Sequence, residues 1–398
     1  MISEKMKQLA SNNSVIRAMF EEGQNMAREF GAENVYDFSL GNPSVPAPAA
    51  VKDAIREILD QEDSLMVHGY MSNVGYQDVR QAVAESLNRR FGTDFHENNI
   101  IMTVGAAGGL NVILKTLLNP GDEVLTFAPY FTEYGNYVAN YDGKLVVVSP
   151  NTVDFQPNLK EFAEKITPRT KAVIVNNPNN PTGVVYSAET CREMSRILRE
   201  KQHEFGTDIY LISDEPYREL AYDGVEVPYL TEYYANTVVC YSWSKSLSLP
   251  GERIGYLAVN PKAEQAMTIA EVCPQISRTI GCNGTSTLMQ LTVGRCADLT
   301  SQLEIYERNK DRLFSALTEY GFSCVEPGGS FYMFPRSLEP DDVAFCKKAT
   351  ELDLFLVPGT AFGCPGHFRL AYCVPEERVV AALPRFRQLA ERYQRQKG

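Results

Sequence analysis

The sequence is short of several things that would define a function class. It has four histidines, at 68, 96, 203 and 367, and no H-x-x-x-H pair, so it offers no zinc centre. Its nine cysteines are odd in number and contain no C-x-x-C. In a chain of 398 residues they read as reduced, mostly buried thiols. Positive charge is in deficit, with 38 Lys and Arg against 50 Asp and Glu and a net charge of −12. Nucleic acid, which needs a basic face, is therefore not an expected partner. No uncharged apolar run is long enough to span a bilayer. The first twenty residues mix charges among their apolar positions and lack a signal-peptide core. Low-complexity tracts, repeats and flexible linkers are missing too. The expectation is a cytoplasmic globular protein with no metal and no membrane contact.

What is present is enough apolar sequence, 44% of residues, for a large core and two domains. Short apolar runs alternate with helix-like stretches. "NIIMTVG" (99–105), "EVLTFAP", "KLVVVSP", "KAVIVNN" (171–177), "IYLISDEPY" (209–217) and "TVVCY" (237–241) read as strands. "RIGYLAV" (253–259) reads as a further strand of the same sheet. Between them, "LNVILKTLL" and "NLKEFAEKI" place apolar residues on one helical face. Nearly continuous apolar strands are the mark of a parallel sheet buried on both faces. The fold class is α/β, a mostly parallel sheet flanked by helices over 46–285. A smaller discontinuous α+β domain is expected from 1–45 and 286–398, in which 286–321 reads as one long helical stretch.

Four loops follow strand ends, and in open α/β sheets ligands bind at the carboxyl ends of the strands. "GAAGG" (105–109) brings backbone N–H groups to a helix start, although a tight turn needs glycine anyway. "NNPNNPTG" (176–183) is a rigid turn able to present the Asn180 amide. "SDEPY" puts Asp214 and Glu215 at the end of an apolar strand, with Tyr217 close behind. A buried carboxylate there needs a cation, and the plainer reading is an ion pair with a local arginine. In "SWSKSLSLPGERIGY" (242–256), Lys245 is a candidate Schiff-base amine, helped by desolvation. Ser242, Ser244 and Arg253 form a candidate phosphate clamp. Phosphate cup, aldehyde-binding lysine, acid for a ring nitrogen and donors for a ring oxygen together describe a pyridoxal phosphate site.

At this point the chain resembles the fold-type I, class I/II pyridoxal-phosphate aminotransferases. The resemblance runs through "SLGNPSVPAP", "HGYMSNVGYQDVRQAVAESL", "TVGAAGGL", "NNPNNPTG", "SDEPYREL", "SWSKSLSLPGERIGYL", "PGGSFYMFP" and "VPGTAFGCPGHFRLAY". It implies that Lys245 carries the cofactor and shuttles the substrate Cα proton. Asp214 would pair with the ring nitrogen, and Tyr217 and Asn180 would donate to the ring oxygen. Phe131 would stack on the ring, where many relatives carry tryptophan or tyrosine. The N–H groups of Ala106 and Ala107, with Ser242 and Arg253, would hold the phosphate. Two alanines replace a hydroxyl side chain frequent there, leaving only backbone donors. Tyr70 would reach the neighbouring subunit's phosphate, which implies a homodimer with shared sites. Arg369 would grip the substrate α-carboxylate, with Asn180 and the N–H of Gly41.

The implied reaction moves an amino group from an L-amino acid, aspartate by default, to a 2-oxo acid such as 2-oxoglutarate. Alternatives are an aromatic or other amino donor, or a C–S β-lyase on the same fold. Arg278 is a candidate second cation for a dicarboxylate substrate. A cofactor-sensing regulator would need a DNA-binding domain, and the N-terminus is too short and not basic enough to supply one.

Overall fold

The computed structural model describes residues 34–395 without interruption, and scattered positions among residues 2–31. Twelve strands occur among them: β1 (Tyr36–Asp37), β2 (Ile100–Thr103), β3 (Glu123–Phe127), β4 (Lys144–Val148), β5 (Thr170–Asn176), β6 (Tyr210–Asp214), β7 (Thr237–Ser242), β8 (Gly255–Val259), β9 (Tyr332–Met333), β10 (Leu354–Phe355), β11 (Val357–Pro358) and β12 (Phe368–Ala371).

Seven of them form one sheet in the order β2-β8-β7-β6-β5-β3-β4. Strands β3 to β7 pair in parallel, and β8 is antiparallel to both of its neighbours. Apart from the edge strand β4, the sheet is buried on both faces, and alternate residues serve opposite layers. Val124, Ala172 and Ile174 join one apolar cluster with Leu110, Ile113 and Ile269, from helices Gly105–Leu117 and Ala266–Thr279. Leu125, Val173 and Val175 join another with Phe162 and Met194, from helices Leu159–Lys165 and Ala188–Phe205. β8 runs backwards because its connection to β7 contains only the four-residue helix Trp243–Ser246 and a short 3₁₀ turn. Nothing there is long enough to recross the sheet, so the chain turns back beside the strand it has left. The reversal puts the start of β8 at the same sheet edge as the end of β7, with Ser242 opposite Gly255.

A second body of structure has its own core. Phe38, Leu313, Phe345, Phe368 and Phe386 belong to one buried cluster. It packs helices Glu304–Glu319, Asp342–Thr350 and Glu376–Gln394 against the sheet β11-β12-β9 and the parallel pair β1-β10. The long helix expected over 286–321 is instead two helices, Thr287–Arg295 and Glu304–Glu319. Asp298 in the break accepts from Ser86 Oγ at 2.5 Å and pairs with Arg89, tying the first helix to Gln77–Phe91. The Asp-Leu-Thr-Ser run supplies side chains that compete with helix hydrogen bonds, which apolar periodicity does not register. Met289 and Val293 accordingly pack with Val51 and Val83, beside the large sheet.

Candidate active site

The parallel strands deliver their C-terminal residues to one edge, and a cavity of about 270 Å3 opens there. It is lined by every residue named above as a site candidate except Tyr70, Glu215 and Arg278. β5 leads to Asn176 and Asn180, β6 ends on Asp214, and β7 ends on Ser242 just before Lys245. The antiparallel β8 starts beside Arg253. "GAAGG" is not a loop: the helix begins at Gly105, so Ala106 and Ala107 lie in its first turn, where N–H groups have no helical acceptor. The Arg253 guanidinium sits against this turn, within 3.1 Å of where a Gly105 side chain would start. Arg253 itself has a left-handed backbone, φ 52°, an uncommon conformation for a side-chain-bearing residue and one that functional sites tolerate. Ser242 Oγ lies 2.6 Å from Ser244 Oγ and caps the short helix at the Ser244 N–H. Two hydroxyls, a guanidinium and a helix start thus converge on one anion-sized space.

Lys245 is half-buried, and its Nζ donates to Gly41 O at 2.7 Å. Burial pushes its amine down to about 8. The Cys373 thiol opposes that shift, and Arg253 and Arg369 reinforce it. Asp214 is 5% exposed. Burial raises its carboxyl to about 7, against a hydrogen bond from Tyr134 and with the Glu215 charge adding to the rise. The Tyr134 hydroxyl donates to Oδ2 at 2.5 Å, while Oδ1 is buried with no partner among the described residues. The arginine ion pair that sequence raised for this strand end belongs to the next residue. Glu215 is buried against Arg218 and takes a further bond from Ser213.

Arg369 is 2% exposed on β12. Nη1 donates to Asn180 Oδ1 at 3.0 Å and Nη2 to Ser39 O, but Nε is buried and unpartnered. Its guanidinium lies over the Tyr332 and Phe362 rings, 4.6 and 4.8 Å from their centroids. Tyr217 Oη is 3.1 Å from Tyr332 Oη. Phe131 packs edge-on to Tyr134 at 5.6 Å. The segment Ser39-Leu40-Gly41 closes the cavity from the second body. Its three successive carbonyls accept from Arg369, Cys373 and Lys245.

Tyr70 lies outside, fully exposed at 104%. Arg278 lines a different depression, with Arg80 and Glu271. Tyr134 and Tyr332 were missed from sequence. Tyr134 stands three residues after Phe131, and Tyr332 lies within the quoted "PGGSFYMFP", so proximity to known candidates was the only available signal.

A buried carboxylate oxygen without a donor is costly unless a ligand supplies one. A protonated ring nitrogen would do so. With the anion cup and the low amine of Lys245, the donor set fits pyridoxal 5'-phosphate. Comparison with known proteins agrees. A family model described as aminotransferase class I and II matches residues 32–386. The aspartate/prephenate aminotransferase of Thermus thermophilus is 34% identical over 360 residues, covering 89% of this chain and 90% of that protein. The aspartate aminotransferase of Thermotoga maritima is 31% identical over 358 residues, covering 89% and 90%. Among solved structures, an aminotransferase from Eubacterium rectale superposes with a TM-score of 0.96 at 44% identity, covering 99% of each chain. Thermus thermophilus aspartate aminotransferase with maleate gives 0.85 at 29%, covering 98% and 100%. Site chemistry, fold and similarity over nearly the full length lead to one conclusion: this chain belongs to the aminotransferase class I and II family and is a pyridoxal-phosphate-dependent transaminase.

Proposed function

We propose that the enzyme moves the amino group of L-aspartate to a 2-oxo acid such as 2-oxoglutarate, in the cytoplasm, as a homodimer. The observation that carries the amino-acid reading is the Arg369 guanidinium. It is buried with Nε unpartnered and lines the same cavity as the Lys245 amine. A carboxylate clamp beside a reactive amine suits a substrate bearing both groups. Aspartate is supported by the printed names of the relatives, aspartate and aspartate/prephenate aminotransferases. The β-lyase alternative has no such support.

Bound pyridoxal phosphate supplies the electron sink that makes a Cα–H bond acidic. The chain's own groups do the rest. Ser242, Ser244, Arg253 and the N–H groups of Ala106 and Ala107 would hold the phosphate. Phe131 would cover one ring face, and Asp214 would hold the ring nitrogen's proton. Tyr217 and the Asn180 Nδ2 would donate to the ring oxygen, since Asn180 Oδ1 already accepts from Arg369. Arg369 and the Gly41 N–H would orient the substrate carboxylate. Lys245 Nζ, once freed from Gly41 O, would take the proton from Cα and return it elsewhere. Full exposure of Tyr70 is what a residue serving a partner's phosphate would show in a single chain. The division into a large cofactor-binding unit and a smaller one rests on the separate cores, and the packing of Met289 and Val293 favours placing Thr287–Arg295 with the large unit.

A panel of L-amino acids with 2-oxoglutarate and pyruvate tests the reading, with 2-oxo acid and ammonia scored separately. Aspartate should form its 2-oxo acid fastest without ammonia. Ammonia and thiol release from sulfur amino acids as the dominant activity would overturn it.

A further inference from the structure

Asp214 ends a central strand, and among the described residues its carboxylate has one donor, the Tyr134 hydroxyl. Asn176 Nδ2 reaches the Asp214 main-chain oxygen and not the carboxylate. The titratable groups that face the carboxylate are Tyr134 and Tyr137 from helix Glu133–Ala139, Glu215 and Tyr217 from its own strand end, and Cys240 from β7. None of these carries positive charge. Glu215 is occupied by Arg218 and repels. Tyr134 is 1% exposed, and its ring is wedged between Tyr130, stacked at 6.5 Å, and Phe131, edge-on at 5.6 Å. Its hydroxyl therefore has a fixed place.

We propose that Tyr134 is the positioning residue of this site: its hydroxyl pins Asp214 Oδ2, which aims Oδ1 into the cavity and favours the charged carboxylate there. The inference rests on the reading that Asp214 meets the cofactor's ring nitrogen. A carboxyl has two oxygens on one rigid plane, so fixing one fixes the direction of the other. Burial alone drives this carboxyl towards its neutral form, and a neutral carboxyl cannot hold a proton on a ring nitrogen. A hydrogen bond donated to the charged form works the other way. Burial also pushes the Tyr134 phenol well above its ordinary range, so it remains a donor at every working pH. Tyr134 acts through Asp214 and touches neither substrate nor reacting atoms.

Tyr134→Phe removes one hydroxyl and keeps the ring. In cofactor-free protein with 13C-labelled aspartate, the Asp214 carboxyl should titrate at higher pH than in the wild type. In holoenzyme with 15N-labelled pyridoxal phosphate, the ring nitrogen should lose its protonated signal at lower pH. Single-turnover removal of the Cα proton should slow by about 10- to 100-fold, the range for losing one hydrogen bond to a charged group. Site-specific 3-fluorotyrosine at 134, a stronger donor of nearly equal size, should shift both titrations the opposite way, and it carries the test if the phenylalanine variant does not fold. Unchanged carboxyl and ring-nitrogen titrations in a folded variant would overturn the proposal. Asp214→Asn separates the two levels. If it also leaves the ring nitrogen unchanged, the reading of Asp214 itself fails. If it abolishes the protonated signal while Tyr134→Phe does not, only the role of Tyr134 fails.

Discussion

At the scale of single residues, the site consists of charged groups held in surroundings that oppose their charge. Lys245, lowered to about 8, should capture pyridoxal phosphate faster as pH rises through that value, because only the neutral amine attacks an aldehyde. Lys245→Ala should lose turnover by orders of magnitude, and borohydride should fix cofactor on the wild-type peptide containing Lys245. Label on Lys171 or Lys262 would refute the assignment. Asp214 has the opposite linkage. Its folded value of about 7 lies above its ordinary 3.8, so between the two the folded state binds more protons than the unfolded state. Stability of the cofactor-free protein should therefore fall as pH rises from about 4 to 7. Asp214→Asn should remove that slope, giving an advantage over wild type that grows to pH 7 and then levels off in thermal melts. Arg369→Lys keeps charge but loses the planar fork. It should raise KM for amino acids by about 10- to 100-fold, and an unchanged KM would remove Arg369 from the carboxylate site.

Among the elements, the strap Ser39-Leu40-Gly41 links the two bodies of structure. It bonds two donors that cofactor and substrate need, since Gly41 O takes Lys245 and Ser39 O takes Arg369. Its position depends on Gly41. A Cβ there would come within 1.9 Å of Tyr332 Oη and 2.9 Å of Phe331 Cε2, and Tyr332 is itself buried and bonded to Tyr217. Gly41→Ala must displace either the strap or the Tyr332 ring. The expected result is a folded protein whose kcat/KM falls at least about tenfold, comparable to losing one well-placed hydrogen bond. Wild-type kinetics in this variant would mean that the strap's placement does not matter to substrate binding.

For the whole molecule, the unexplained feature is Tyr70, an aromatic side chain fully in solvent, with Leu65 also 82% exposed on the same stretch. Burial of this stretch in the proposed homodimer would account for both. Tyr70→Phe protein mixed with Lys245→Ala protein should recover activity, because one heterodimer site would combine the two intact residues. No recovery after verified subunit exchange would mean that each site is complete within one chain.

Sequence alone was enough for the seven strands of the large sheet and the residue types at their ends, because apolar runs and turn residues are local signals; β1 and β9 to β12, of two to four residues, are too short to give such a run. It also placed Lys245, Asp214 and Arg253, whose chemistry stands out at a strand end. Tertiary structure decided what depends on neighbours distant along the chain. The Asp214–Tyr134 bond joins residues 80 positions apart, and the Arg369–Ser39 bond joins residues 330 apart. Periodicity could not find the break at Asp298, which is held by a helix two hundred residues earlier. Nor could it assign the local arginine to Glu215 rather than Asp214, because adjacent residues on a strand point to opposite faces and only packing shows which face holds the cation.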